Sequence, residues 1–400
     1  MIKLKKIAQQ SVAIGLGTAL LLTAGCSALP FRNPLALRTE PKLGELPPIA
    51  ENTYGETAAL AWTDHSLSKL PRFTKLVPSV AQDRLYAADH KGTVVALDRS
   101  TGKKIWRVNT SHKFTAGPKI LDNSLVLLAT AQGKIVALDI STGQVAWESK
   151  VSSEVLGAPV GGNGVVLAHA IDGSVTALDS KAGELLWRVD QSTPALTLHS
   201  SSAPVIFEDK AVVGFANGKL AALNLQTGLI EWERTVSLPR GRSEVQRMVD
   251  ITADPIVDHN VVYAITYQGK LAAVNITTGD LLWDRELSSY HNMAIDKQHI
   301  YVTDNEHHLW AIDKQTGTTL WKQVALGQRY ITGPTVVNDR VVVADRAGYI
   351  HAIASKNGNV IDRTRVSGKF YQDPVAYGQQ FYFNAYNGKL AAFNLIREPS

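Results

Sequence analysis

The sequence predicts an all-β fold, an eight-bladed β-propeller with four antiparallel strands in each blade. Three observations predict it. A motif recurs at intervals of roughly 40–50 residues, the spacing typical of propeller blades. A second turn lies inside each repeat, and an unpaired strand before the first repeat supplies the strand that the last repeat lacks.

The recurring motif first appears as Ala96-Leu97-Asp98, followed by Thr101-Gly102 and Trp106. Alanine and leucine end a strand, the aspartate accepts hydrogen bonds from turn amides, and the glycine takes the left-handed conformation of a tight turn. The glycines of the seven copies stand at positions 102, 143, 183, 228, 279, 317 and 358. In the seventh copy, Ile361 stands where we expect the tryptophan.

Each repeat contains a second hairpin upstream of this motif, with a turn such as Ala131-Gln132-Gly133 or Tyr267-Gln268-Gly269. An apolar strand such as residues 260–264 precedes that turn. Each repeat therefore predicts four antiparallel strands, the content of one propeller blade. Because one blade cannot bury both of its faces, we expect each tryptophan to pack between neighbouring blades.

The two ends of the repeat region predict how the ring closes. The last repeat, residues 381–394, stops where its tryptophan strand should begin. The stretch Ala58–Trp62 has a tryptophan but no preceding hairpin. We expect this N-terminal strand to pair with the C-terminal blade, which gives eight blades and leaves no free edge strand to aggregate. Residues 51–400 then form a single propeller domain.

Residues 1–25 have the features of a lipoprotein signal peptide. Three lysines precede an apolar stretch from Val12 to Leu22 that is short for a membrane span. The segment Leu22-Thr23-Ala24-Gly25 resembles a lipobox before Cys26, although Thr23 replaces the usual aliphatic residue. Cys26 is the only cysteine of the chain, and an unpaired thiol is a liability in an oxidising compartment. We therefore expect lipidation of Cys26, and its neighbour Ser27 implies the outer membrane.

Residues 26–50 are rich in proline and show no periodicity, so they are expected to form a flexible tether behind the lipidated cysteine. The formal net charge of the chain is +5, and three of its lysines lie in the leader, which leaves 5 − 3 = +2 for the mature chain. Such a small charge gives no argument for nucleic-acid binding.

Two connections between repeats are longer than the others, residues 188–204 and 233–255. Both leave the tryptophan strands of adjacent blades, so we expect them side by side on one face, where insertions often mark a binding surface. Leu196 and Leu198 would point the same way in an extended loop. The second loop brings charge around them, and we expect Asp250 mainly to brace that loop. The charged residues are Arg240, Arg242, Glu244, Arg247 and Asp250.

These repeats resemble those of pyrroloquinoline-quinone dehydrogenases. Together with the lipobox, the tether and the chain length, they resemble the BamB family, lipoproteins of the outer-membrane β-barrel assembly machinery. The resemblance covers nearly the whole chain and is sharpest in residues 194–204 and 243–255. It implies that the loops contact BamA through its periplasmic POTRA domains. The implied partner-binding residues are Leu196, Leu198, His199, Arg247 and Asp250. His199 departs from the arginine common in the family.

The resemblance thus implies a non-enzymatic scaffold, a lipid-anchored monomer within a hetero-complex on the periplasmic side of the outer membrane. It would aid the folding of nascent β-barrel proteins, partly by offering strand edges for β-augmentation. The alternative is a propeller quinoprotein dehydrogenase or another periplasmic enzyme, because fold does not fix function. Such dehydrogenases use adjacent cysteines and calcium, and no cysteine is left here for that. A lipoprotein binding peptidoglycan or a small ligand in the central channel is a third alternative.

The sequence offers no candidate catalytic residue, metal ligand set or cofactor site. His307 and His308 are adjacent, so on a strand their rings would face opposite ways, and His307 takes the place of a turn glycine. The recurring aspartates 98, 139, 179 and 313 appear once per repeat, which is typical of turn caps rather than of a catalytic acid.

Overall fold

The repeats form eight antiparallel sheets arranged as the blades of a β-propeller in the computed structural model, which describes residues 42–52, 56–72 and 74–397. Two strands precede the first complete blade, β1 (Glu56–Asp64) and β2 (Lys75–Leu76). The leader and Cys26 lie outside the described residues, so the predicted lipidation site remains a prediction. None of the helices in the described part is long and apolar enough to cross a membrane.

The first four blades take their strands in chain order. Blade 1 contains β3 (Ser79–Ala81), β4 (Arg84–Ala88), β5 (Thr93–Asp98) and β6 (Lys104–Asn109). Blade 2 contains β7 (Phe114–Leu121), β8 (Leu125–Thr130), β9 (Lys134–Asp139) and β10 (Val145–Lys150). Blade 3 contains β11 (Val160–Gly162), β12 (Val165–His169), β13 (Ser174–Asp179) and β14 (Leu185–Asp190). Blade 4 contains β15 (Val205–Phe207), β16 (Lys210–Gly214), β17 (Lys219–Asn224) and β18 (Ile230–Thr235).

The remaining blades follow the same order. Blade 5 contains β19 (Ile256–Asp258), β20 (Val261–Ile265), β21 (Lys270–Asn275) and β22 (Leu281–Glu286). Blade 6 contains β23 (Ala294–Ile295), β24 (His299–Thr303), β25 (Leu309–Asp313) and β26 (Thr319–Gln323). Blade 7 contains β27 (Thr335–Val337), β28 (Arg340–Ala344), β29 (Tyr349–Ala354) and β30 (Val360–Arg365). Blade 8 contains β31 (Val375–Tyr377), β32 (Gln380–Asn384) and β33 (Leu390–Arg397). In the described part of the chain, two 3-10 helices, Val245–Arg247 and Gly327–Arg329, lie in connections.

The ring closes through its two chain ends, as the sequence predicts. Strand β1 pairs antiparallel with β33 and so completes blade 8 as its outer strand. The register passes from Leu60 opposite Phe393 to Trp62 opposite Ala392, with one residue left over. The outer strands of the other blades show the same one-residue bulge before their motif position. Strand β1 therefore reproduces the geometry of an ordinary fourth strand.

The core lies between the blades. All residues of β12 are buried, whereas the outer strand β14 alternates between exposed and partly buried positions. One apolar cluster joins Leu127 of blade 2 to Val166 and Leu178 of blade 3. Apolar residues on both faces of the middle strands are thus covered by neighbouring blades, so the hydrophobic effect stabilises the ring as a whole rather than each blade alone.

Seven of the eight outer strands each carry a tryptophan that connects the strand to the next blade, and we call this contact the tryptophan latch. Each indole Nε1 donates a hydrogen bond to a backbone carbonyl of the following blade, at 2.7–3.1 Å. The ring also covers the motif glycine of that blade. A Cβ added at Gly228, for example, would lie 2.7 Å from Cε3 of Trp187, and the φ of Gly228 is +73°. The glycine is therefore required both for its conformation and for space.

Blade 7 lacks this latch, and its register corrects the sequence prediction. Asp362, not Ile361, stands opposite Ala352, in the position that tryptophan occupies in the other blades. Ile361 is the bulged residue and is buried. The next blade has no motif turn to receive an indole, because its outer strands β33 and β1 come from opposite ends of the chain. Asp362 Oδ2 instead accepts a hydrogen bond from the N–H of Ala58, at 2.6 Å.

A short N-terminal strap, residues 43–50, lies against blade 7 and the connection before it. The guanidinium of Arg329 donates to the carbonyl of Gly44 at 2.7 Å, and that of Arg363 donates to the carbonyl of Pro47. The N–H of Ala50 donates to the carbonyl of Val360 at 2.8 Å. This part of the predicted tether is therefore hydrogen-bonded to the ring. Arg329 is itself buried and paired with the fully buried Asp345.

Candidate partner-docking site

The two long connections lie on the face of the ring where outer strands lead back to inner strands. The first loop, residues 191–204, joins β14 to β15, and the second loop, residues 236–255, joins β18 to β19. They follow adjacent blades, and they touch through hydrogen bonds of their own. The predicted juxtaposition of these loops is therefore present in the structure.

The first loop presents one leucine more openly than the other. Leu196 is 39 % exposed, whereas Leu198 is half-buried. The backbone bends at Ala195 and Leu196, so the strict alternation of an extended strand does not apply, and the two leucines differ in environment. The base of the loop is fixed, because Ser201 Oγ accepts the N–H of Gly157 at 2.8 Å and Ser202 Oγ donates to the carbonyl of Gly214.

The second loop is shaped by a 3-10 helix, Val245–Arg247. Gln246 Oε1 accepts the backbone N–H groups of Arg242 and Ser243, at 2.9 and 3.3 Å, which closes the turn before the helix. Arg247 forms an ion pair with Glu244, three residues earlier. Both side chains are about half exposed, so this pair is screened by solvent and contributes little to stability.

Asp250 ties the two loops together. It lies on the second loop, is 1 % exposed, and its Oδ1 accepts the backbone N–H of Leu198 on the first loop at 2.9 Å. The expectation that it mainly braces its own loop therefore needs correction. Burial raises the pKa of Asp250 to about 6, against the opposing effect of the Leu198 hydrogen bond. Its Oδ2 has no hydrogen-bond partner among the described residues and lies beside a cavity of about 20 Å³.

His199 projects beside the first loop. Its Nε2 lies 3.2 Å from Oε2 of Glu154, on the connection before blade 3, and the ring is 63 % exposed. Glu154 therefore places a carboxylate, in contact with His199, at this edge of the site.

Two exposed apolar residues of the site escaped the sequence analysis. Leu238 is 64 % exposed and Val245 is 57 % exposed, both on the second loop. Leu238 is followed by Pro239, which stiffens the backbone at this point. The first loop likewise has a proline near its exposed leucine, with Pro194 two residues before Leu196. This similarity was the sequence signal that could have identified Leu238 as a site residue. Leu196, Leu238 and Val245 thus expose apolar side chains on the same two loops that carry the exposed arginines.

Among the described residues, one group of side chains has the composition of a metal site. The ligand atoms of Asp304, Glu306 and His308 lie within 4.8 Å of one another, in the inner turn of blade 6. Asp304 is already engaged, because its Oδ2 accepts the indole N–H of Trp310 at 2.7 Å and its Oδ1 accepts two turn amides. The group serves as a turn cap. His307 has a φ of 61°, so it occupies the left-handed place of a turn glycine, as predicted.

Comparison with known proteins decides the family. The family model described as outer membrane protein assembly factor BamB matches residues 55–120, 90–323 and 320–397. The BamB of Alkalilimnicola ehrlichii is 43 % identical over 88 % of this chain and 93 % of its own. The BamB of Escherichia coli is 35 % identical over 92 % of this chain and 94 % of its own.

The chain belongs to the BamB family.

Solved structures agree on the fold. The crystal structure of BamB from Moraxella catarrhalis superposes with a TM-score of 0.77, at 24 % identity, over 84 % of this chain and 99 % of that chain. The quinohemoprotein alcohol dehydrogenase of Comamonas testosteroni gives a TM-score of 0.68 at 14 % identity, over 88 % of this chain and 79 % of that chain. The likeness to the dehydrogenase extends to the propeller alone. The named relatives are assembly factors, which disfavours the enzymatic alternative.

Proposed function

We propose that this protein is a non-enzymatic scaffold of the outer-membrane protein assembly machinery, which docks on the POTRA domains of BamA through the two tied loops. The observation that carries the proposal is the hydrogen bond between Asp250 and Leu198, because it fixes two loops from adjacent blades as one surface. Membership of a family of outer membrane protein assembly factors supports a partner within that machinery.

The physical basis of docking is an apolar centre within a polar rim, the usual plan of an interaction hot spot. Leu196, Leu238 and Val245 expose apolar side chains, and the fixed loops present them at low entropic cost. Arg240 and Arg242 are exposed on the second loop, while Arg247 is already paired with Glu244. The arginines favour an acidic rim on the partner and set its orientation.

Anchoring completes the proposed role. We propose that Cys26 carries the lipid and holds the ring on the periplasmic side of the outer membrane, since several acyl chains give stable anchoring where one is marginal. The scaffold would then hold the POTRA domains near the membrane and offer strand edges to nascent barrel proteins. Cys26→Ser should shift the protein from the outer-membrane fraction to the soluble periplasm in cells without BamA. Persistence in the membrane fraction would refute lipid anchoring.

The docking proposal is tested with the double variant Leu196→Ala/Leu198→Ala in a pull-down of BamA from detergent-solubilised envelopes. Loss of two hot-spot side chains should weaken binding by about 2 kcal/mol or more. The thermal unfolding midpoint should change little, because Leu196 is exposed and Leu198 only half-buried.

A matched control is available on the rim. Leu185 and Leu186, on β14, are 64 % and 47 % exposed and lie outside both loops. Leu185→Ala/Leu186→Ala removes the same side-chain atoms and more exposed apolar surface, and it should bind BamA normally. Normal recovery of BamA by the loop variant, or a loss of equal size in the control, would contradict the proposed site.

A further inference from the structure

A large cavity opens at the mouth of the central channel, on the face that carries the two loops. Its volume is about 1160 Å³, and it is lined by the first strands of blades 6, 7 and 8 and the connections before them, and also by residues 77–79 and 117–119 of blades 1 and 2. The docking loops reach its edge through Leu198, His199 and Ser200 of the first loop and through Thr252 and Asp254 of the second loop. We call this cavity the channel mouth. It is large enough for a peptide segment, since typical ligand sites measure roughly 300–1000 Å³.

The mouth is chemically asymmetric, and the inner turns of the blades show why. The second residue of that turn is small or apolar in blades 2, 3 and 4, namely Ala131, Ile171 and Ala216. In blades 5 to 8 the same position holds Tyr267, Asn305, Arg346 and Tyr386, and in blade 1 it holds His90. Tyr267 and Arg346 line the mouth directly. The turn residues of blades 5 to 8 are therefore more polar than those of blades 2 to 4, and their side of the channel is better suited to binding a ligand.

Aromatic rings and cations form a continuous arc on that side. Tyr290 packs on His291 with ring centroids 4.3 Å apart, and His307 packs on Tyr330 at 5.0 Å. The guanidinium of Arg346 lies over the ring of Tyr330 at 4.2 Å. Stacking of this kind occupies the flat face of a guanidinium and leaves its N–H edge directed outward, the edge that binds a carboxylate.

The two aspartates that line the channel mouth already accept hydrogen bonds from neighbouring groups of the protein. Asp373 accepts the N–H groups of Gly333 and Asn292, at 2.7 and 3.2 Å, and lies 3.3 Å from the Nδ1 of His291. Asp254 accepts the ammonium of Lys75 and the N–H of Ala203. Among the described residues, no carboxylate pairs with Arg346. The charge that faces the cavity is therefore positive.

The other side of the channel is filled by the chain itself, in a way that shows how a peptide can bind here. Strand β2 is an extended segment that pairs in parallel with β7, the inner strand of blade 2. Its Lys75 reaches across to the carbonyls of Ser201 and Thr252, at 3.0 and 2.6 Å. In the described part of blades 6, 7 and 8, the inner strands β23, β27 and β31 each have one paired edge. Their other edges face the channel.

We propose that the channel mouth binds an extended, acidic peptide segment from another polypeptide, lying along the inner strands of blades 6 to 8 with a carboxylate on Arg346. Backbone pairing with an inner strand would supply affinity, and alternate side chains would supply specificity. A peptide is favoured over other anions because a backbone can both donate hydrogen bonds to and accept them from a free strand edge, whereas a simple anion can only accept them. The proposal does not depend on the docking of BamA.

The test uses the full-length protein and a fluorescein-labelled peptide of eight residues that alternates glutamate with valine. Fluorescence polarisation should show saturable binding that weakens with added salt, and a lysine–valine peptide of equal length should not bind. Arg346→Gln should weaken binding about tenfold, because it removes a charge-assisted contact. The variant should retain normal recovery of BamA and a normal unfolding midpoint.

The control is Arg365→Gln. Arg365 also stacks on a tyrosine, Tyr349, at 5.2 Å, but it does not line the mouth. Should Arg346→Gln fail to fold, Arg72→Gln replaces it, since Arg72 lines the mouth and lies over Tyr371 at 4.9 Å. No saturable binding at millimolar peptide, an equal loss in the Arg365 control, or equal competition by a sulfated oligosaccharide would each overturn the proposal.

Discussion

The two docking loops are joined by a buried carboxylate, Asp250, of which one oxygen has no hydrogen-bond partner among the described residues. Asp250 is almost fully buried, and its Oδ1 serves the N–H of Leu198. A neutral amide could accept the same hydrogen bond without the desolvation of a charge. The charge therefore opposes stability here, and the size of that effect can be measured from its dependence on pH.

We predict that Asp250→Asn stabilises the protein at neutral pH. The pKa of Asp250 is raised to about 6 in the folded state, from an ordinary value of 3.8. The folded state therefore holds a proton between pH 4 and 6 that the unfolded state has released, so the free energy of unfolding falls as pH rises through this window. The full effect above pH 6 is on the order of 2–3 kcal/mol. Part of it is offset if the new amide N–H₂ finds no partner.

The measurement is urea denaturation of both proteins from pH 4 to pH 7.5. The difference in unfolding free energy between variant and wild type should grow with pH up to about pH 6 and then level off. Asp250→Ala provides the control, because it removes the hydrogen-bond acceptor as well as the charge and should be less stable than Asp250→Asn at every pH. A difference that is independent of pH would contradict a raised pKa.

At the scale of elements, the repeated turn and the tryptophan before it act as one unit across a blade boundary. The aspartate caps the turn, as Asp98 does by accepting the N–H groups of Ser100 and Thr101 at 3.1 and 2.8 Å. The glycine then leaves room for the indole of the preceding blade. The motif glycine is thus required for two reasons, its backbone conformation and the space that it leaves for the indole, and mutations can separate the two effects.

We predict that Gly228→Ala destabilises the ring by about 3 kcal/mol, whereas Gly378→Ala costs about 1 kcal/mol. Both glycines have a positive φ, +73° and +61°. A Cβ at position 228 would collide with Trp187, but one at position 378 would meet nothing within 4 Å. Both variants therefore carry the conformational strain, and only Gly228→Ala carries the steric clash. Thermal and chemical unfolding give the two values, and equal losses would show that packing on tryptophan is unimportant.

The repeat made the elements predictable, because local periodicity and turn chemistry decide strands and hairpins. The repeat also contained the correct position of Asp362, because each tryptophan stands four residues after its motif glycine, and the expectation of Ile361 was wrong by one residue. The partner of Asp250 and the arc around Arg346 join residues from different blades. Such contacts depend on the curvature of the whole ring, and no local pattern records them. The strap lacks any periodicity, so its hydrogen bonds with blade 7 were invisible.

For the whole molecule, stability depends on the strand that joins the two chain ends. We predict a graded series of N-terminal truncations. Removal of residues 1–42 should leave the melting temperature nearly unchanged, because the strap and the ring remain. Removal of residues 1–62 should cause aggregation or early melting, because it exposes the edge of β33 and removes Trp62, a loss of about 3–5 kcal/mol for the aromatic side chain alone.

Removal of residues 1–50 tests the strap separately. It eliminates the bonds of Gly44, Pro47 and Ala50 to blade 7 but keeps β1. An intermediate melting temperature is expected, since Arg329 stays paired with Asp345 after its bond to Gly44 is lost. Melting temperatures from differential scanning calorimetry decide the order. A closure strand that can be deleted without effect would show that the ring closes elsewhere.

The strap also determines where mechanical load enters the ring. If the chain is pulled from its N-terminal side, the first bonds to bear tension are those from Arg329 to Gly44 and from Arg363 to Pro47, because Gly44 and Pro47 precede β1 along the chain. The hydrogen bonds between β1 and β33 bear tension only after these two bonds break. Tension applied to the N-terminal side of the strap would therefore act on blade 7 before it could separate β1 from β33 and open the ring.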